Sequence, residues 1–171
     1  LISNGTPSNA NPSYWSIGLD EDGKISIENG NSLLKSNLKY NDGSWHHMSM
    51  VLERNFSVTM YIDGEVVRTD NSSNFNSFGG PTLAIGALVN GVGALASYSQ
   101  YFEGNIDDIR FWNVARQPEQ IQRDFINQLQ GDESGLLAYY PFDFYDEVAG
   151  IPSLSPTLGD RVISDTLYFD L

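Results

Sequence analysis

Two adjacent histidines, His46 and His47, are the only imidazoles in the chain, and 22 carboxylates are scattered along it. Retaining glycoside hydrolysis needs an acid and a nucleophile about 5 Å apart. On a strand that means carboxylates at alternating positions, as in Glu-x-Asp-x-x-Glu. The sequence has no such spacing, and the nearest set, Glu103 with Asp107 and Asp108, does not supply it. A serine hydrolase needs a nucleophile elbow and a histidine base, and neither accompanies His46 or His47. Adjacent residues of a strand project to opposite faces, which suits neither catalysis nor zinc. Both histidines are therefore expected to be structural, one buried and bonded, the other half exposed. Cysteine is absent, which removes disulfides, thiolate metal sites and a cysteine nucleophile. The chain reads as non-catalytic.

Binding chemistry is better represented. Sugar recognition uses exposed aromatic platforms beside polar groups, and Tyr98 and Tyr101 flank Gln100 at the end of a Gly- and Ala-rich stretch, residues 90–99, that reads as a long loop. Of the neighbours Tyr101 and Phe102, one ring must turn inward in either register. A second loop, residues 70–80, is rich in Asn and Ser. Trp15, Trp45 and Trp112 lie among apolar neighbours and read as packing residues. A formal charge of −13 repels phosphate-rich partners, so no nucleic acid and no anionic membrane is expected. Acidic clusters such as Asp20-Glu21-Asp22 could attract a divalent cation, although a solvated surface is the plainer reading. No apolar run reaches the ~20 residues of a membrane helix.

The elements that must position these groups are short strands. Asp63-Gly64, between Val58-Thr59-Met60-Tyr61-Ile62 and Glu65-Val66-Val67, is a two-residue hairpin signal, because a type I′ turn needs positive φ at both central positions. Residues 14–19 and 24–28 form a second hairpin about Asp22-Gly23, and residues 32–38 a further strand. Residues 45–53 are apolar on both faces, as in a central strand covered on each side. Val58, Met60 and Ile62 alternate with polar residues, which fixes the face that meets the core. Residues 81–86 and 106–112 read as strands. Only residues 118–129 look helical, with Ile121, Phe125 and Leu129 in one stripe; this helix is expected to cap one end of the molecule. Many short strands separated by turns predict an all-β, antiparallel sandwich in one domain-sized chain of 171 residues.

Three blocks carry a family resemblance. Trp45-His46-His47 followed by Tyr61-Ile62-Asp63-Gly64, then residues 101–116 with Gly104-Asn105-Ile106-Asp107-Asp108-Ile109-Arg110-Phe111-Trp112-Asn113, and Gly135-Leu136-Leu137-Ala138-Tyr139-Tyr140-Pro141-Phe142-Asp143 together resemble the laminin-G-like domains of the concanavalin A-like jelly-roll superfamily. The resemblance implies a jelly roll with residues 45–65 and 104–112 as neighbouring ribbons, and a binding or adhesion module that takes a glycan or a surface protein, secreted or on the cell surface. The lack of a disulfide leans the source towards bacteria. Family members open on a strand like residues 135–143, which here comes late, while residues 1–5 resemble the middle of a domain. Residues 1–134 are thus expected to form the main part of the jelly roll. Residues 135–171 then either complete the sandwich or open the next tandem repeat; the repeat is favoured, with a neighbour or partner covering the exposed strand edges. Ser99-Gln100-Tyr101-Phe102-Glu103-Gly104-Asn105-Ile106 is also similar to a pentraxin segment whose glutamine ligates calcium. That similarity makes Gln100 and, ten residues earlier, Asn90 candidate oxygen donors to one weakly held calcium, whereas Leu88 cannot replace the third ligand. The expected ligand-binding residues are Asn90, Tyr98 and Gln100, with a structural spacer repeat and an accessory carbohydrate-binding domain as the alternative readings.

Overall fold

The computed structural model describes residues 2–4, 15–29, 32–53, 57–71, 75, 83–90, 97–143 and 168–170, with Asn90 and residues 168–170 described by backbone alone. Thirteen strands and one helix appear among them: β1 (Ile2–Asn4), β2 (Trp15–Leu19), β3 (Lys24–Asn29), β4 (Ser32–Lys39), β5 (Met48–Glu53), β6 (Ser57–Ile62), β7 (Glu65–Asn71), β8 (Leu83–Ile85), β9 (Leu88–Asn90), β10 (Ser97–Ser99), β11 (Ile109–Trp112), α1 (Pro118–Asp124), β12 (Leu136–Tyr140) and β13 (Tyr168–Asp170). They form a five-stranded sheet, β4-β3-β2-β1-β8, a six-stranded sheet, β12-β11-β13-β5-β6-β7, and a small β9–β10 ribbon. All pairings are antiparallel. The expected all-β sandwich with one short helix is the observed class.

Alternation explains the core. Trp15 and Ile17 of β2, Ile25 and Ile27 of β3 and Leu34 of β4 face inward from the first sheet. From the second sheet they meet Met48, Met50 and Leu52 of β5, Val58, Met60 and Ile62 of β6, and Ile109 and Phe111 of β11. Burying one such side chain contributes roughly 1.5–3 kcal/mol, so these two faces supply most of the drive to fold. The Asp63-Gly64 turn has the two positive φ values its sequence asks for, 52° and 79°.

Five expectations are corrected. The ribbon begins at Met48 rather than Trp45: the Asp63 carboxylate accepts the His47 N–H at 2.9 Å and the Asp63 N–H donates to the His47 carbonyl at 2.8 Å, which draws residues 45–47 off the sheet end and around the turn. Trp45 is consequently 67% exposed, not packed, whereas Trp15 and Trp112 are buried. Residues 106–108 precede strand β11, Asp108 taking a positive φ of 54°. Residues 45–65 and 104–112 lie in one sheet but are separated by β13. The stretch read as a loop, residues 90–99, starts and finishes in the β9–β10 pairing; its middle residues, 91–96, fall outside the described set, as do residues 72–74 and 76–80 of the second loop.

The helix is shorter than residues 118–129 and sits elsewhere. It opens with Pro118 and with the Gln117 N–H donating to Gln120 Oε1 at 2.9 Å, a start that fits fixed φ and unused N–H groups. It ends at Asp124 because the Arg110 guanidinium, 1% exposed, donates to the carbonyls of Asp124 at 2.7 Å and Asn127 at 2.8 Å. The Asp124 carbonyl also accepts the Asn127 N–H at 3.2 Å, so the chain turns back on itself at this end. Ile121 and Leu129 still point one way, but against Val51, Tyr61, Trp112, Leu136 and Tyr139 on the outer face of the six-stranded sheet, not over an end of the sandwich. That face of β5 and β6 is therefore covered, which is why β5 is apolar on both sides. Strands β12 and β13 both take places in this sheet, β12 beside β11 and β13 between β11 and β5.

Candidate binding groove

The same alternation that buries Ile17 and Ile27 turns Ser16 and Gly18 of β2, Ser26 and Glu28 of β3 and Lys35 of β4 outward. Register aligns them in rows, with Ser16 opposite Glu28, and Gly18 opposite Ser26, which is opposite Lys35. They floor a groove of about 1050 Å³ on the outer face of the five-stranded sheet. The Lys35 ammonium lies 2.8 Å from Asp20 Oδ2; the hydrogen bond to Lys35 holds the Asp20 carboxyl below its usual range, and the same bond raises Lys35.

One wall comes from the segment that follows the β9–β10 ribbon. Ser3, 2% exposed, fixes it: its hydroxyl donates to the Ala87 carbonyl at 2.9 Å and accepts the Val89 N–H at 2.8 Å, pinning the ribbon over β1. The Phe102 N–H then donates to the Gly86 carbonyl at 2.8 Å, closing the loop. Gln100, at φ 49°, and Tyr101, 70% exposed, thereby reach the groove, together with Glu103. Of the neighbouring rings it is Phe102 that turns inward, partly buried. The Tyr101 hydroxyl donates to the Tyr98 carbonyl at 3.4 Å.

Of the three residues singled out from sequence, Gln100 lines the groove, Tyr98 is 48% exposed on the ribbon beside it, and Asn90 pairs by backbone with Ser97. Gln100 lies one residue beyond the Ser99–Leu88 pair, so roughly three residues, about 10 Å of strand, separate its position from that of Asn90. Calcium needs six to eight oxygens; among the described residues Gln100 is the one expected side-chain donor placed here, and none gather three or more His, Cys, Asp or Glu groups in an arrangement able to hold a metal. Sequence reasoning missed Ser3, Ser16, Ser26, Glu28 and Lys35, which resemble any polar strand residue until pairing aligns them.

A second cavity, about 400 Å³, opens at one end of the sandwich. Its floor is the end of the core, Ile2, Ile25 and Met48; its rim carries Trp45, Tyr40, His46, Asp63 and Asp107. His46 Nδ1 lies 2.9 Å from Asp63 and Nε2 3.2 Å from Asp42. Both partners are carboxylate oxygens, which only accept, so both ring nitrogens must carry hydrogen. The hydrogen bond to Asp63 accordingly raises the His46 pKa, against a smaller effect of burial, with Asp42 adding to it. His46 is bonded through both ring nitrogens and His47 packs its ring 5.6 Å from that of Phe125; both are partly buried, rather than one buried and one half exposed. Burial raises Asp107, and the neighbouring charges of Asp108 and Asp143 act in the same direction.

Among known proteins, a laminin G model described as the concanavalin A-like lectin/glucanases superfamily matches residues 1–122. No curated protein and no solved structure matches the chain. The matched segment contains both the core-forming sheet residues and the Trp45-to-Gly64 and Gly104-to-Trp112 blocks, and with the two-sheet antiparallel sandwich it places this chain in the laminin-G-like group of the concanavalin A-like lectin/glucanase superfamily.

Proposed function

We propose that this domain is a non-catalytic binding module that receives a glycan along the groove of the five-stranded sheet. The observation that carries the reading is a polar floor, Ser16, Ser26, Glu28 and Lys35, walled by a largely exposed Tyr101 and by Gln100. Sugars present hydroxyls to such a floor and C–H faces to such a ring, and the combination of a concave site with few oriented polar groups is what ligand sites use. Superfamily membership supports a binding role in general. The parent is read as a secreted or cell-surface multidomain protein, an adhesin of bacterial type, in which a neighbouring repeat or a partner covers the strand edges; no helix among the described residues is long and apolar enough to cross a membrane.

A glycan array run with and without calcium tests the proposal. Binding is expected in at least one condition and is expected to fall about tenfold in Tyr101→Ala, the size of one lost stacking contact. A further fall in Gln100→Ala, confined to the calcium condition, would support one weak ion held through Gln100, Asn90 and loop carbonyls. An array silent in both conditions would replace the binding reading by that of a spacer repeat.

A further inference from the structure

We infer that the cavity at the end of the sandwich takes the side chain of a lysine from a protein partner. Three independent features converge on a straight apolar stem ending in a cation. The floor is made by Ile2, Ile25 and Met48, the end of the hydrophobic core, and suits methylenes. At the mouth stands Trp45, 67% exposed, the aromatic side chain whose face attracts a cation best. The rim then carries Asp63, Asp107 and Asp108, with Asp42 behind His46, while no lysine or arginine among the described residues lines the cavity. His46 balances one of these four charges and the Arg110 guanidinium, 3.6 Å from Asp108, a second, while Asp107 is raised by its burial and, against the Asp108 N–H and the Arg110 charge, by repulsion from Asp108 and Asp143. A bound ammonium would relieve that repulsion, and the chain's −13 charge would steer a basic segment towards it. The volume, about 400 Å³, is in the range of small binding sites.

The cavity shares Ile2, Leu19 and Phe102 with the lining of the glycan groove but neither its polar floor nor Tyr101, so the two proposals can fail independently. Because Trp15 and Trp112 are 1% and 0% exposed, an added solute changes tryptophan emission chiefly through Trp45. N-acetyl-lysine methylamide is expected to change that emission saturably and to shift the backbone amides of residues 44–47 and 105–108 in NMR spectra, while the norleucine analogue, with the same stem and no charge, does not. Asp107→Asn keeps a side-chain oxygen for the Asp108 N–H, now 3.0 Å from it, but loses the charge; apparent affinity for the lysine compound should drop about fivefold or more. Tyr101→Ala, in the groove, should leave the response as it was. Equal responses to the two analogues, absence of saturation, an unchanged Asp107→Asn or a loss in Tyr101→Ala would each overturn the assignment.

Discussion

His46 shows how much one side chain can decide. Held between Asp63 and Asp42, it ties the turn that carries Trp45 to the tip of the β6–β7 hairpin. A histidine whose folded pKa is raised contributes stability that is fully present below its unfolded value, about 6.5, and lost as pH rises through the folded one. NMR titration of its ring should therefore give a midpoint above 6.5, and Asp63→Asn should bring it down. The loss of Asp63–His46 contact at higher pH should also broaden the amides of residues 42–47 before any global unfolding; a midpoint at or below 6.5 would contradict the geometry. The sequence pointed to His46 as structural because its neighbour must face the other way, but it said nothing of Asp63, since the hydrogen bond joins residues 17 apart.

Arg110 plays the corresponding part between elements. Its guanidinium, buried on β11, satisfies two carbonyls at the end of α1 and lies 5.6 Å from the centroid of the Tyr139 ring. Asp124, at the same helix end, is bonded by Arg116, whose guanidinium stacks 3.8 Å from the centroid of the Trp112 ring. This cluster of buried charges locks the helix to the outer face of the six-stranded sheet. Arg110→Met fills similar space but takes the guanidinium from the Asn127 carbonyl and leaves the Asp124 carbonyl with the Asn127 N–H alone; one buried carbonyl without its partner costs about 1–3 kcal/mol. Urea unfolding should show a loss of about 1–3 kcal/mol, whereas Glu119→Gln, exposed in the first turn of α1, should cost under about 1 kcal/mol, as single charges near a helix start do. The apolar stripe of Ile121, Phe125 and Leu129 was legible in the sequence, yet it overran the helix because periodicity cannot register a guanidinium arriving from another strand to take the last carbonyls.

Across the whole molecule the sandwich holds several phenols out of water. Burial, then the hydrogen bond to Asp108, pushes the Tyr139 hydroxyl up to about 12, and burial also raises Tyr40, Tyr61 and Tyr140. Above pH 10 the unfolded chain loses these protons more readily than the folded one, in the case of Tyr139 up to about pH 12, so stability must fall as pH rises through that range. Ultraviolet titration should separate freely ionising tyrosines from those that titrate only on alkaline unfolding; a single normal midpoint for all nine tyrosines would contradict the packing. Alternation of period two and turn residues such as Asp63-Gly64 determined by themselves the strands, their inward faces and the antiparallel class, because these depend on neighbours a few residues away. Only the tertiary structure decided the rest. Gln100 and Tyr101 meet Ser26 and Lys35 because Ser3 pins a distant ribbon over β1, Trp45 is thrust outward by a bond to Asp63, and the late strands β12 and β13 enter the sheet beside β11. Each of these rests on hydrogen bonds between groups far apart along the chain, which no local pattern encodes.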